Sequence, residues 1–265
     1  MKIMTYNIMN GGIKPDSSRL CRVLEVIAQQ KAEVLGIQEI ELGEEKQDEF
    51  SLAMRNICSY PYNISFDCDK KWTVALFSRM LPSSSRLVSE RIKVIEMVFP
   101  TKIGPLSICN VYLSYLNERE RLPQIIDVLR ELYRNKNSIL MGDFNALSPE
   151  DNIPQSAVDS FSPRMIEKYC RDGNLCYDTI EAVLNQGYID VGLQFYKPEQ
   201  ITDQTDLLGG TGNHNRPLRM DFIFAKGGIL QYLKDFTLVR EGLARTASDH
   251  FPWHVSLDKS LFSEK

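Results

Sequence analysis

The 265-residue chain contains no C-x-x-C pair, and its six cysteines (Cys21, Cys58, Cys68, Cys109, Cys170, Cys176) show no zinc-like spacing to its three histidines. Several lie in apolar runs, as Cys109 does in "LSICNVYL", where a thiol acts as a small hydrophobe. All six are read as reduced thiols of a cytoplasmic protein. No apolar stretch approaches the length of a membrane span, which excludes a transmembrane helix. The opening "MKIMTYNIMNGG" is interrupted by Thr5, Asn7 and Asn10 and leads to no small-residue cleavage site, so it is not read as a signal peptide. A basic excess is also missing: 31 Lys and Arg stand against 35 Asp and Glu, a net charge of −4. That balance argues against a surface that coats nucleic acid broadly, while a local basic strip remains allowed. With no repeat, low-complexity tract or linker, one domain over residues 1–265 is expected, a monomer without a membrane or protein partner.

What the chain does have is an ordinary globular balance, 43% hydrophobic and 25% charged, and enough length to bury a core without staples. "KIMTYNI" reads as a first strand with "NGG" as a turn. Asp16 or Ser17 then caps a helix over 19–30, with Leu20, Val23, Leu24 and Ile27 on one face. "EVLGIQEI" (33–40) is a second buried strand, followed by a charged helix over 44–56. "WTVALFS" (72–78), "KVIEMVF" (93–99) and "LSICNVYL" (106–113) read as strands in antiparallel hairpins, turning at Pro82, Ser83–Ser85 and 100–105. "NERERLPQIIDVLRELYRN" is an amphipathic helix with a proline near its start. "SILMGDF" is the next strand, and residues 148–217 hold two more helical stretches and the Gly-rich loop "TDLLGGTGNHNRPL". The strands "RMDFIFA" (219–225), "FTLVR" and "FPWHVSL" close the chain, the last preceded by the turn "TASDH". This alternation indicates an α/β fold of mixed sheets with helices outside.

The strand ends share a habit. Asn7 ends the first strand and Glu39 the second; Asp143 and Asn145 flank Phe144 after "SILMG"; Asp221 sits inside "RMDFIF"; Asp249 and His250 precede the last strand. Period-two alternation points Asp143 and Asn145 one way and Phe144 the other. A single polar residue at a strand end is usually a cap or turn former. Carboxylates within apolar strands, however, cost on the order of several kcal/mol unless paired or metal-bound. Gathered at one rim, these would form an all-oxygen metal site with a histidine beside it.

In order, "TYNIMNGG", "IQEI", "NVYL", "GDFN", "RMDFIF" and "SDH" resemble the blocks of the endonuclease/exonuclease/phosphatase superfamily, the fold of pancreatic DNase and exonuclease III, over residues 5–250. The resemblance implies a four-layer sandwich, with two packed mixed β-sheets, helices on the outer faces and the active site at one rim. It also implies hydrolysis of a P–O bond by in-line attack of water, dependent on a divalent metal. On that resemblance Glu39 is the ligand of Mg²⁺ or Mn²⁺, whose hardness suits a carboxylate oxygen. Asn7 supports it, and Asp249 is a second ligand or support. The bland alternatives are a buried pairing of Glu39 with a basic residue and a turn-capping Asn7.

The same resemblance has Asp143 position and deprotonate the attacking water and Asn145 donate to the transition-state oxyanion. His250, with an ordinary pKa of about 6.5, faces the scissile phosphate. Asp221 holds its far ring nitrogen, unless it pairs with neighbouring Arg219. Tyr112 stands where many members carry histidine. Branches acting on abasic DNA also have tyrosine there, so Tyr112 is expected to hydrogen-bond the phosphate. Those branches continue "Y-x-P-N" where this chain reads "YLSYLNERERL", and carry an acidic residue where it has Met9. Both departures set it apart from the abasic specialisation and leave the hydrolytic set complete. His254, in "WHVSL", reads as sheet packing.

Substrate contacts are sought in the loop-borne basic clusters "DKKW" (69–72), "NRPLR" (215–219) and "SPR" (162–164). Lys70, Lys71 and Arg216 would meet phosphates, Trp72 would stack on a base, and His214 would touch substrate from the polar loop. A DNA-directed nuclease or a phosphodiesterase acting at DNA ends is the first expectation. An intracellular phosphatase for a small or inositol-type phosphoester is the second. A non-catalytic binding module would have lost some of the seven positions from Asn7 to His250, and all are present.

Overall fold

Val34–Gln38, Leu106–Tyr112 and Asn137–Asp143 are buried at every position, as the middle strands of sheets covered on both faces must be. The computed structural model describes residues 1–12, 18–40, 42, 44–68, 71–89, 92–198, 205–206 and 218–262, with the backbone alone for 44–45, 67–68, 71–73 and 92–93. In chain order the first half comprises β1 (Lys2–Asn7), α1 (Arg19–Gln30), β2 (Val34–Gln38), α2 (Glu44–Asn56), β3 (Tyr62–Cys68), β4 (Lys71–Ser78), β5 (Ser84–Ser89), β6 (Ile92–Phe99) and β7 (Leu106–Tyr112). Then come α3 (Glu118–Glu131), β8 (Asn137–Asp143), α4 (Pro163–Tyr169), the short β9 (Cys170–Arg171) and β10 (Asn174–Leu175), and α5 (Asp178–Leu184). The last are β11 (Ile189–Asp190), α6 (Gly192–Phe195), β12 (Asp221–Lys226), β13 (Leu233–Leu238), α7 (Ala244–Ala247) and β14 (Trp253–Leu257). Among the described residues, no helix is long and apolar enough to cross a membrane.

Two six-stranded sheets result, ordered β13-β14-β1-β2-β4-β3 and β11-β12-β8-β7-β6-β5. Each holds one parallel pair, β1 with β2 and β7 with β8, inside otherwise antiparallel pairing. A parallel pair needs a crossover, which α1 and α3 supply. Alternation then sorts the side chains. Ile3, Val34, Leu76, Ile108, Met141, Ile223 and Val255 meet between the sheets. Their neighbours Met4, Leu35 and Phe77 turn outward under Val23, Ile27, Phe50 and Met54 of α1 and α2. On the other side Val111, Leu140, Phe222 and Phe224 pack under Ile125 and Val128 of α3 and Ile180 and Val183 of α5. The result is the four-layer α/β sandwich of two packed mixed sheets with helices outside.

The local readings need several corrections. The three central strands do not form one series of hairpins: β6 pairs with β7, but β4 lies in the other sheet between β2 and β3. β3 went unread because "YNISFDC" mixes polar and apolar residues as an edge strand does. Ser84 and Ser85 open the exposed edge strand β5 and are not a turn. Among the described residues of 148–217 stand α4, α5 and the four-residue α6, more and shorter helices than expected. Pro123 lies inside α3, and the helix is capped by Asn117, whose side chain accepts from the Glu120 N–H. The expected cap residues Asp16 and Ser17 lie outside the described residues.

One polar link crosses the apolar space between the sheets. Asn110 of β7 donates through Nδ2 to the Ile37 and Ala75 carbonyls of the opposite sheet, at 2.9 Å each. Gln38 Nε2 donates to Asn110 Oδ1 and, at 3.0 Å, to Thr5 Oγ1. The approach depends on Gly36, where a Cβ would lie 2.8 Å from Asn110 and 2.9 Å from Met141. Asn110→Leu withdraws the donor from two buried carbonyls and the acceptor from Gln38, an expected loss of about 3 kcal/mol. Gly36→Ala is expected to cost about 2 kcal/mol through overpacking. Urea unfolding measures both, and midpoints equal to wild type would contradict the link.

Candidate active site

Parallel pairing carries the carboxyl ends of β1 and β2, and of β7 and β8, to one rim, where open α/β sheets place their ligands. Asn7, Tyr112 and Asp143 end β1, β7 and β8, and Glu39 follows β2. Antiparallel neighbours start at the same rim. Asp221 opens β12 directly opposite Asp143, and Asp249 and His250 precede β14, whose Trp253 pairs with Thr5. Asp143 thus faces the inter-sheet space, while Phe144 turns away to pack edge-on against Phe222 and Phe224 at 5.6 and 5.2 Å. Gly142 permits this ending, because a Cβ there would sit 2.0 Å from the Val111 carbonyl oxygen. Glu39 and Asn145 adopt left-handed backbone, φ 56° and 51°, which asparagine tolerates and glutamate rarely visits. The Glu39 turn is held by the Gly11 N–H on its carbonyl at 2.7 Å.

Asn7 joins the two sheets. Its Nδ2 donates to Glu39 Oε1 and to Asp143 Oδ2, both at 3.0 Å, while its Oδ1 accepts the Met9 N–H at 2.9 Å. Tyr112 Oη donates to Glu39 Oε1 at 3.1 Å, and the Asn10 N–H reaches Glu39 Oε2 at 3.3 Å. Asp143 Oδ1 accepts the Asn145 backbone N–H at 2.8 Å. Asn145 Nδ2 donates to Asp143 Oδ2 at 3.1 Å and to the Leu113 carbonyl at 3.2 Å, so both its hydrogens are engaged. His250 Nδ1 lies 2.6 Å from Asp221 Oδ2. Arg219, the alternative partner of Asp221, instead pairs with Asp151 and Asp190, at 2.5 Å each.

The charges press on one another. Burial, then the charge of Asp221, pushes the Asp143 carboxyl up to about 7, against the pull of His250 and Lys168. Burial also raises Asp249, and Glu39 adds to that rise. Burial alone would lower His250, but Asp221, Asp249 and Asp143 outweigh it and hold the imidazole well above its ordinary value. Among the described residues, Asp143, Asp221 and His250 bring one ligand atom each within 4.8 Å of one another. Glu39 and Asp249 stand outside that trio.

Lys70, His214 and Arg216 lie outside the described residues, and Lys71 and Trp72 are described by backbone only. They open β4, which runs antiparallel to β2 with Val74 opposite Gln38, so that backbone starts at the Glu39 rim. His254 lies within β14, and burial pushes its pKa down to about 4. Two residues at the rim were not read from sequence. Arg19 is fully buried and donates to the carbonyls of Ile8, Met9 and Ala247 at 2.6, 2.8 and 3.0 Å, tying α1 to the loops that carry Asn7 and His250. Lys168 of α4 donates to Asn145 Oδ1 at 2.8 Å. A basic residue in a helix carries no sequence signal for either task.

The model of the Endonuclease/Exonuclease/phosphatase family matches residues 4–250. Among solved structures the chain is similar to an AP endonuclease from Archaeoglobus fulgidus, with TM-score 0.73 and 20% identity over 97% of this chain and 99% of that one. It is also similar to a 3′ phosphatase from Neisseria bound to a product DNA hairpin, with TM-score 0.70, 20% identity and the same coverage. A 3′-5′ exonuclease from Neisseria meningitidis gives TM-score 0.67 and 21% identity over 97% and 100%. At such identities the likeness is one of fold. No curated protein matches the chain.

The His250–Asp221 contact has a measurable consequence. Since the folded value is raised, the pair's stabilisation is present in full below pH 6.5 and is lost as pH rises through the folded value. NMR titration of the metal-free protein is expected to place the His250 midpoint above 6.5 and to find it lowered in Asp221→Asn. A midpoint at or below 6.5 in wild type would contradict the geometry.

Proposed function

The chain belongs to the Endonuclease/Exonuclease/phosphatase family, and on that premise we propose that it is a divalent-metal-dependent phosphodiesterase, a DNA-directed nuclease or an enzyme acting at DNA ends. The observation that carries this reading is the rim where Asn7 and Glu39 of one sheet meet Asp143, Asn145 and Asp221 of the other, with His250 beside them. Residues 1–265 are proposed to form one catalytic domain, working as a monomer in the cytoplasm.

The residues fit Mg²⁺ or Mn²⁺. Glu39 is a hard carboxylate whose hydrogen-bond partners among the described residues are all neutral. It also raises the pKa of Asp143 and of Asp249, so negative charge accumulates here as it does where a cation belongs. Glu39, supported by Asn7 and with Asp249 close by, would hold it. When bound, such a cation neutralises charge on the phosphoryl oxygens.

The chain's own groups carry the proton chemistry. Asp143, titrating near neutrality and fixed by three hydrogen bonds, is suited to accept the proton of the attacking water. His250, held at Nδ1 by Asp221, presents Nε2 to a phosphoryl oxygen or to the leaving group and carries the positive charge the transition state needs. Asn145 exchanges one of its two Nδ2 hydrogen bonds for the developing oxyanion, a contribution of roughly 3 kcal/mol for such a donor. Tyr112, bonded to Glu39, orients that carboxylate beside the phosphate.

A second reading, a phosphatase for a small or inositol-type phosphoester, is favoured by the net charge of −4. Labelled duplexes, single strands, 3′-phosphate ends and a bis-nitrophenyl phosphodiester, each with Mg²⁺, Mn²⁺ or EDTA, separate the two. Hydrolysis is expected to vanish in EDTA and to fall in Glu39→Gln most severely at limiting metal. Asp143→Asn and His250→Ala are expected to lower kcat by about 100-fold or more with little change in KM. Full turnover in EDTA would refute the metal dependence, and cleavage of the small ester without any DNA would transfer the conclusion to the second reading.

A further inference from the structure

An ammonium reaches the site from α4, where Lys168 Nζ donates to Asn145 Oδ1. Lys168 lies in the last turn of α4, and Tyr169 and Met220 flank its side chain: the nitrogen sits 5.1 Å from the Tyr169 ring centre and 4.0 Å from the Met220 sulfur. The end of α4 is fastened from below. Buried Arg121 of α3 donates to the Lys168 carbonyl at 2.6 Å, pairs with Glu118 at 3.0 Å and reaches the Ser114 carbonyl at 3.4 Å. The lysine is therefore delivered to Asn145 by a braced element.

The amide orientation of Asn145 follows from its neighbours. Leu113 O and Asp143 Oδ2 are both acceptors, so Nδ2 faces them, and Oδ1 is left to accept from Lys168 Nζ. Among the described residues, no carboxylate lies within ion-pair distance of Lys168, so the desolvation of its ammonium is not offset by a salt bridge. Burial accordingly lowers its pKa to about 8, with Asp143 pulling it back up. A cation kept in such a place is poorly explained by stability. It is well explained by its hydrogen bond to Asn145 Oδ1.

We propose that Lys168 is a positioning residue of the hydrolytic site: its ammonium locks the Asn145 carboxamide with the N–H face toward Asp143 and the phosphate. The inference rests on the phosphoester-hydrolase reading. Without Lys168, Asn145 Oδ1 has no partner among the described residues, and once one Nδ2 hydrogen bond gives way to the oxyanion a single bond is left to hold the carboxamide.

The test is a double-mutant cycle on the bis-nitrophenyl phosphodiester with Mn²⁺, with thermal unfolding of each variant. Lys168→Met, nearly equal in volume and free of the buried charge, is expected to lower kcat by about 10- to 100-fold with KM almost unchanged and Tm not reduced. Lys168→Arg, which keeps the charge and a donor, is expected to recover part of kcat. In the Asn145→Ala background, Lys168→Met is expected to change kcat by no more than about twofold, because the partner it acts through is gone. An equal loss of kcat in both backgrounds overturns the inference, as does a Lys168→Met that loses Tm but not kcat. A wild-type protein that cleaves no phosphoester with any metal overturns the functional reading and this inference with it, an outcome distinct from an active enzyme whose cycle is additive.

Discussion

A single carboxamide holds the two halves of the site together. Asn7 Nδ2 spends its two hydrogens on carboxylates from opposite sheets, Glu39 following β2 and Asp143 ending β8, at 3.0 Å each. Two anions at that separation repel, and buried anions repel most, because little solvent screens them. A neutral group with two donors and fixed geometry is what allows both to stay. The loop bearing His250 is fastened to the same residue, since Ser248 Oγ donates to the Asn7 carbonyl at 2.7 Å. Glu39, Asp143 and His250 therefore share one anchor.

That anchor works only because the sheets are held at the right spacing. Gly36 removes the Cβ that would collide with Asn110, and Asn110 and Gln38 fill the gap with hydrogen bonds between β7 and β2. Topology supplies the rest. Each sheet contains one parallel pair with its helical crossover, so four strand ends point to one rim, and the antiparallel partners β12 and β14 begin there. Acidic residues placed at those ends meet without any loop having to reach for them. The rim is electronegative by construction, and His250 and Lys168 supply cationic charge against Asp143.

Much of this was legible in the sequence because the strands are short apolar runs, and a carboxylate ending such a run has few bland explanations. Asn7, Glu39, Asp143, Asn145, Asp221 and His250 stood out for that reason, and the helices at 19–30 and 44–56 followed from periodicity and charge. Edge strands such as β5, with exposed serines, lack the apolar signal and read as turns. Asn110 was silent because one polar residue inside "LSICNVYL" breaks no pattern, and its role exists only when a second sheet is laid against it. Arg19 and Lys168 were silent for a related reason. Basic residues on helices belong on the surface by default, and only tertiary packing turns them inward.

The claim that the Asn7 bridge assembles the site is tested most directly by Asn7→Asp, a change of nearly equal volume that replaces the two donors with a third carboxylate. Steady-state hydrolysis of a phosphodiester at saturating Mn²⁺, with circular dichroism to check the fold, gives the answer. A folded variant with kcat lowered by about 100-fold or more is expected, in line with the loss of a positioning hydrogen bond and the added repulsion. A folded variant that keeps wild-type kcat would contradict the account.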